Sequence, residues 1–256
     1  MRDLSGVIQD LTVDALAAES LERITRLDTT RLPVVAAGTR LGVPLAGIGK
    51  IVAVGLNYRD HAAETNMRVP TEPILFMKAT SALNGPNDDV VAPRGSTKLD
   101  PEVELVIVIG RLARNVSESD AAHFIAGYCL GNDVSERAFQ LEHGGQWTKG
   151  KSADTFAPLG PLLVTSGVDP TDLGIWLRVN GEERQRSNTG QMIFGPARLV
   201  SYISQFMSLV PGDVIYTGTP SGVGLARNPP VFLKPGDVIM LGIDGLGTQR
   251  QKVVLS

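Results

Sequence analysis

Glu102 and Glu104 interrupt a run that otherwise reads as pure strand, Glu102-Val103-Glu104-Leu105-Val106-Ile107-Val108-Ile109-Gly110. A β-branched, apolar stretch closed by a glycine is strand composition. Side chains alternate along a strand, so both glutamates share one face with Val106 and Val108, while Val103, Leu105, Ile107 and Ile109 take the other. Both faces beyond the glutamates are apolar, so the strand is expected to be covered on both sides. Two carboxylates entering such surroundings repel each other and lose hydration, at roughly several kcal/mol per ion. A divalent cation offsets both effects, and an all-oxygen donor set favours Mg²⁺, Mn²⁺ or Ca²⁺ over zinc. The alternative places the pair at the wet mouth of the strand with no ligand. The apolar run that follows argues against it, and so does Asp133, which follows the apolar segment 124–130 at an expected strand end. Three carboxylates can hold one divalent ion and leave positions for water and substrate oxygens.

A second constellation lies earlier, in Asn57-Tyr58-Arg59-Asp60-His61-Ala62-Ala63-Glu64. His61 and Glu64 are three residues apart, so on a helical turn they share a face. A carboxylate there orients the imidazole and raises its basicity, which suits His61 to act as a general base toward water. His123 and His143 have weaker surroundings. The stretch Gly145-Gln-Trp-Thr-Lys-Gly-Lys-Ser152 reads as a mobile loop whose Lys149 or Lys151 could steady an enolate or oxyanion. Lys78 is unusual within a strand and could meet a substrate carboxylate. Thr217-Gly-Thr-Pro-Ser-Gly-Val-Gly224 follows a strand, and its backbone N–H groups with the Thr219 hydroxyl could cradle an anion. It matches neither a dinucleotide-binding nor a Walker glycine pattern.

These groups must be positioned by a chain of 256 residues, which suits one large domain with a small appendage. The net charge of −3, without a basic block, argues against nucleic acid as the main partner. The single cysteine, Cys129, lies in an apolar run and is read as a small buried hydrophobe; it fits a reducing compartment. No apolar run approaches the ~18–20 residues that span a membrane, and the N-terminus lacks a signal-peptide pattern, so a cytoplasmic protein is expected. Residues 1–47, with a short helix at 14–26 and a loop-rich divide at 36–49, form an N-terminal segment; 48–256 form the main domain. Strands are expected at 51–54, 74–77, 103–109, 162–164, 176–179, 214–216, 238–243 and 251–255. Helices are expected at 59–65, 119–124 (capped by Ser117 or Ser119), 135–141 and 197–207. In the last, Leu199, Val200, Ile203, Phe206, Met207 and Val210 form a core stripe. Pro-Gly-Asp-Val-Ile occurs at 211–215 and again at 235–239, two type II turns feeding strands. Strands dominate without regular alternation with helices, which points to an α+β fold with a large mixed, rolled sheet.

The ordered set G-L-N-Y-R-D-H-A-A-E, F-M-K-A, D-P-E-V-E-L, G-N-D-V-S-E-R, W-T-K-G-K-S, M-I-F and T-G-T-P-S-G-V-G resembles the fumarylacetoacetate hydrolase family from about Ile48 onward. The resemblance implies a mixed β-roll of the fumarylacetoacetase C-terminal-domain type, usually in homodimers. It implies Glu102, Glu104 and Asp133 as ligands of Mg²⁺ or Mn²⁺, His61 and Glu64 as the water-activating pair with Lys151 beside them, and Arg59, Lys78, Arg137, Gln140 and Thr219 as substrate contacts. Two departures stand out. Pro101 precedes the first metal glutamate, where relatives often carry an aromatic or polar residue. The chain also opens at Met1-Arg-Asp-Leu-Ser-Gly, where close relatives carry a further strand, so a short form or late start is expected.

The stretches Asn132-Asp-Val-Ser-Glu-Arg137, Gly144-Gly-Gln-Trp-Thr-Lys-Gly-Lys151 and Arg227-Asn-Pro-Pro-Val-Phe-Leu-Lys-Pro-Gly236 resemble bacterial members acting on 2,4-diketo-3-deoxy sugar acids or acylpyruvates. The implied reaction hydrolyses a carbon–carbon bond of a 2,4-diketo acid, releasing pyruvate and a second acid. Decarboxylation of an oxaloacetate-type acid, tautomerisation and a ureidoglycolate lyase reaction are alternatives on the same site; a non-catalytic metal-binding protein is another. The segment 59–69, polar and weakly apolar, is expected to order over the site when a pyruvate-like anion binds.

Overall fold

The computed structural model describes residues 1–8, 10–64 and 68–256. In chain order the strands are β1 (Ile51–Gly55), β2 (Ile74–Lys78), β3 (Leu83–Asn84), β4 (Val90–Ala92), β5 (Leu99–Asp100), β6 (Val103–Ile109), β7 (Ile125–Asn132), β8 (Ser135–Glu136), β9 (Ala157–Pro158), β10 (Gly174–Val179), β11 (Glu182–Asn188), β12 (Val214–Tyr216), β13 (Val238–Ile243) and β14 (Gly247–Leu255). The α-helices are α1 (Ala18–Thr25), α2 (Arg59–Glu64), α3 (Arg137–Leu141), α4 (Thr148–Lys151) and α5 (Pro196–Ile203).

One sheet has the order β2-β1-β12-β6-β7, with β12 parallel to β1 and antiparallel to β6. A second five-stranded sheet runs β11-β10-β13-β14-β4, with β14 parallel to β4, and β3-β9 and β5-β8 form two-stranded sheets. This is the α+β fold with mixed sheets that the strand pattern predicts. Every residue of β6 is buried, as expected for a strand covered on both faces. Val106 and Val108 join the larger core together with Ile175 and Leu241 of the second sheet. Ile107 and Ile109 point the other way, into a cluster with Leu199, Val200 and Ile203 of α5. The N-terminal residues touch the larger core through Leu16 and Leu45. Among the described residues no helix is long and apolar enough to cross a membrane.

The repeated Pro-Gly-Asp closes two turns in the same way. Gly212 and Gly236 have φ of 86° and 97°, the conformation a type II turn requires. The following aspartate accepts the N–H three residues back, Val210 N to Asp213 Oδ2 at 2.7 Å and Lys234 N to Asp237 Oδ2 at 2.8 Å.

Several elements differ from expectation. The predicted helix at 14–26 is split into a 3₁₀ turn, Val13–Leu16, and α1. Residues 119–124 form only the 3₁₀ turn Ala121–Phe124; Ser117 Oγ accepts the Asp120 N–H at 3.2 Å. Ser135 and Glu136 pair with β5 instead of starting a helix, and Glu136 caps α3 by accepting the Ala138 N–H. Residues 162–164 form no strand, only a bridge from Val164 to Tyr128. Helix α5 stops at Ile203, so Phe206 and Val210 are exposed rather than core. Cys129 is fully buried, and burial pushes its thiol well above the ordinary range, which makes it an unreactive hydrophobe. Helix α2 covers residues 59–64; the rest of the predicted helix and part of the segment expected to close, residues 65–67, lie outside the described residues.

Candidate active site

Pairing of Val103 with Asn132 sets the start of β6 beside the end of β7. Glu102, Glu104 and Asp133 therefore converge: one carboxylate oxygen from each lies within 4.8 Å of the other two, and all three residues are buried. The Asp133 N–H donates to the Glu102 carbonyl at 2.9 Å, which locks the two segments together.

Three cations face this group. Arg137 Nη2 donates to Glu102 Oε1 at 2.6 Å. Lys151 Nζ reaches Glu102 Oε2 at 2.5 Å and Asp133 Oδ2 at 2.7 Å. Lys78 Nζ donates to Asp133 Oδ1 and to the Val134 carbonyl. The consequences differ by residue. Burial raises the Glu102 pKa, but Arg137 and Lys151 outweigh it and hold this carboxylate well below its usual range. Burial lowers Lys151, yet Asp133 and Glu102 keep it above the ordinary lysine value. Burial dominates at Lys78 and lowers it despite Asp133. Glu104 accepts the Gly218 N–H at 2.7 Å, and no ion pair among the described residues reaches it. Burial first, then Asp133 and Glu102, raise it well above the carboxylate range. Glu102, Glu104 and Asp133 offer oxygen ligands only, close together and buried. The residues present fit a hard divalent ion.

His61 lies on α2, buried, with Nδ1 3.3 Å from Glu64 Oε2. The tautomer that donates from Nδ1 leaves the ring lone pair on Nε2. Glu64 is fixed by the Gly222 N–H, 3.0 Å from both its oxygens. Burial raises its pKa, but the bonds from His61 and Gly222, with Arg227 nearby, bring it below the usual value. Glu64 is therefore an ionised partner for the imidazole.

The loop 217–224 does cradle anions, but they are the protein's own. Gly218 N holds Glu104, Gly222 N holds Glu64 and Gly224 N holds Asp100. The Thr219 hydroxyl donates to the Val103 carbonyl at 2.9 Å and accepts from Gln185 Nε2 at 2.8 Å, so it ties the loop to β6 and β11.

A cavity of about 490 Å³ opens over these groups. His61, Glu64, Glu102, Glu104 and Asp133 line it, as do Arg137, Gln140, Lys151 and Thr219. Two expected substrate contacts stand elsewhere. The Lys78 side chain is fully buried behind Asp133 and does not line the cavity; it holds the Asp133 carboxylate in place. Arg59 is exposed and donates from Nη1 to the Met192 carbonyl, away from the cavity. Of the two candidate lysines, Lys151 is the one at the site, whereas exposed Lys149 donates to the His143 carbonyl. Exposed His123 and His143 are not part of it. Within the stretch 145–152 expected to be a loop, residues 148–151 form helix α4. A Cβ at Gly150 would lie 2.5 Å from the Glu136 carbonyl oxygen and 2.6 Å from Gln140, so glycine permits the close approach of α4 to α3.

Sequence reasoning missed Asp100. It is fully buried, accepts from Arg137 Nε at 2.9 Å, and takes the N–H groups of Gly224 at 2.7 Å and Leu225 at 3.1 Å. One carboxylate thus joins the arginine on Glu102 to the far end of the loop. Its position two residues before Glu102 was the signal available. Asp100→Asn removes a buried charge from Arg137 and is expected to cost about 3–5 kcal/mol, lowering the melting temperature by roughly 10 °C. An unchanged thermal unfolding curve would show that Arg137 needs no second carboxylate.

Residues 50–254 match the family model for the fumarylacetoacetate hydrolase C-terminal domain. This chain belongs to the fumarylacetoacetate hydrolase family. It is 55% identical to a 2,4-didehydro-3-deoxy-L-rhamnonate hydrolase of Sphingomonas sp. (strain SKA58), over 99% of this chain and 88% of that protein. Among solved structures, the fumarylacetoacetate hydrolase of Exiguobacterium antarcticum superposes with a TM-score of 0.89 at 35% identity, covering 100% of this chain and 92% of that one. A 5-carboxymethyl-2-hydroxymuconate delta-isomerase from Mycobacterium smegmatis matches with a TM-score of 0.76 at 43% identity, over 85% and 82% of the two chains. The family therefore contains relatives named for hydrolysis and for isomerisation.

Proposed function

We propose that this protein hydrolyses the C3–C4 bond of a 2,4-diketo acid, a 2,4-didehydro-3-deoxy sugar acid or simpler acylpyruvate, to pyruvate and a second short acid. The observation that carries this reading is a single cavity lined by both the His61–Glu64 pair and the carboxylate triad. The 55% identity to a hydrolase of that substrate class supports it.

A divalent cation such as Mg²⁺ held by Glu102, Glu104 and Asp133 supplies a Lewis acid for the oxygens of the keto-acid end; Mn²⁺ and Ca²⁺ suit the same donors. Arg137 fixes Glu102 and, through Nη1, the Gln140 side-chain oxygen at 3.0 Å. That bond turns the Gln140 amide N–H₂ outward as a donor for the substrate carboxylate. Lys151, kept protonated by Asp133 and Glu102, sets a positive charge where negative charge grows on the C2 oxygen. His61 takes a proton from water at Nε2, and the water oxygen bonds to C4. The C3–C4 bond breaks with its electron pair shared between C3 and the C2 oxygen, and the proton held by the His61 imidazolium passes to C3, completing pyruvate and restoring the base. Ionised Glu64 stabilises the imidazolium in between.

A second reading has the same keto-acid end handled without water attack, as tautomerisation or decarboxylation; the isomerase relative favours it. The test is product analysis with Mg²⁺ on a panel of acylpyruvates, diketo sugar acids and oxaloacetate. Pyruvate plus an equimolar second acid is expected. Carbon dioxide from oxaloacetate, or double-bond migration with no cleavage of any diketo acid, would replace hydrolysis with the second reading.

A further inference from the structure

Two arginines share one exposed carboxylate. Arg184 Nη2 lies 3.2 Å from Glu182 Oε2, and Arg227 Nη1 donates to Glu182 Oε1 at 3.2 Å. The Glu182 side chain is 60% exposed, so water screens its charge. The Arg184 side chain is only 16% exposed, and its Nε is buried with no hydrogen-bond partner among the described residues. A largely buried guanidinium with so little compensation favours a second anion.

Arg184 lines a cavity of about 210 Å³ that shares no lining residue with the active-site cavity. One stretch of chain divides the two: Gly222 and Gly224 line this cavity, and Val223 and Leu225 line the other. Exposed Lys234, which enters no ion pair among the described residues, adds a second cation to the wall. The two acids of the wall are already satisfied. Asp237 accepts from Asn180 Nδ2 and from the Lys234 N–H, both at 2.8 Å, and Asp100 is held by Arg137, Gly224 and Leu225. Leu177, Val179 and Phe232 supply an apolar surface. The backbone of Arg184 also buttresses the loop. A Cβ at Gly222 would lie 1.9 Å from the Arg184 carbonyl oxygen, so the two segments touch without room for a side chain. Gly222 in turn holds Glu64 through its N–H.

We propose that this cavity binds a short carboxylate with a small apolar tail, its charge on Arg184 and Lys234, and that its occupancy is felt at Gly222. The uncommitted cations call for an anion, and the apolar surface calls for a tail. The volume, less than half that of the active-site cavity, calls for a small molecule. The site needs no turnover, so it stands or falls apart from the hydrolase reading.

The test titrates propionate into protein holding Mg²⁺ and excess oxalate, added to occupy the active-site cavity, and follows backbone amides by NMR. Saturable binding with a Kd of about 1 mM is expected, with the Gly222 and Gly224 amides shifting along the same curve. Arg184→Gln is expected to weaken binding about 10-fold or more, and Lys234→Gln, at an exposed position, about threefold. Glu182→Gln frees Arg184 from a competing carboxylate and is expected to tighten binding several-fold, a gain that a purely structural Arg184 does not produce. Inorganic phosphate, which has no apolar tail, is expected to bind more weakly. Absence of saturation, equal affinity in the native protein and all three variants, phosphate bound as tightly as propionate, or binding that leaves the Gly222 and Gly224 amides unmoved would each overturn the proposal.

Discussion

Glu104→Gln is expected to nearly abolish turnover and to weaken Mg²⁺ binding by at least about 100-fold, in line with loss of one of three charged ligands, while leaving the metal-free protein as stable as before or more so. The reason is the unequal electrostatics of the two glutamates. Glu104 is buried against Asp133 and Glu102 with one backbone N–H for company, so a neutral amide of the same shape relieves repulsion. Glu102→Gln should kill the site as well, but at a structural cost. It strips a counter-charge from both Arg137 and Lys151 in the interior, which is worth about 3–5 kcal/mol. The simple expectation that removing either glutamate relieves repulsion therefore holds for Glu104 alone. The pH dependence separates them further. Glu104 has a folded-state pKa raised above its unfolded value, so its ionisation opposes folding. In metal-free protein, the native chain should lose stability relative to Glu104→Gln as pH rises from the ordinary carboxylate range through the raised value. Glu102 is depressed, so its contribution is present above the unfolded pKa and vanishes only as pH falls through the folded one. Melting curves across pH for both variants, with Mg²⁺ titrations, check this. Equal Mg²⁺ affinity in the native protein and both variants would remove these residues from the site.

What the sequence made legible followed from short-range chemistry. Strands β6, β12 and β13 coincide with their apolar runs, because alternation and β-branching act within one segment. The triad was legible for the same reason: carboxylates at the mouths of apolar strands have few places to go. The hidden parts depend on contacts across long stretches of chain. Asp100 matters because Gly224 and Leu225, more than a hundred residues later, have N–H groups to satisfy. Lys78 looked like a substrate contact because a lysine in a strand needs an anion; the anion is Asp133, fifty-five residues on. The glycines around Lys151 suggested a flexible loop, but Gly150 is there to let α4 pack on α3. Thr219 and the loop glycines carried a correct signal, exposed N–H donors after a strand, with the wrong anion attached to it. In each case local composition named the need and only the fold supplied the partner.

His61→Ala is expected to lower the hydrolysis rate by about 10²–10⁴-fold, the range for a positioned general base, with Mg²⁺ affinity almost unchanged. The two effects separate because His61 lies on α2 while the triad lies at the start of β6 and the end of β7, on the other side of the cavity and the 217–224 loop. Glu64→Gln makes the argument sharper. The amide keeps an oxygen for the Gly222 N–H but loses the charge that stabilises a protonated His61. Activity should fall without collapse of the loop, because the charge that stabilises the imidazolium is gone while the Gly222 N–H keeps its acceptor. The measurement is kcat and kcat/KM for pyruvate release against pH in the native protein and both variants, beside calorimetric Mg²⁺ affinities. A His61→Ala enzyme running near the native rate would mean that water is activated without this imidazole. A Glu64→Gln enzyme running near the native rate would mean that the imidazole needs no carboxylate partner. If both assignments hold, the two carboxylates that the same loop binds through Gly218 and Gly222 have different duties: Glu104 is a ligand of the proposed divalent cation, and Glu64 prepares a base.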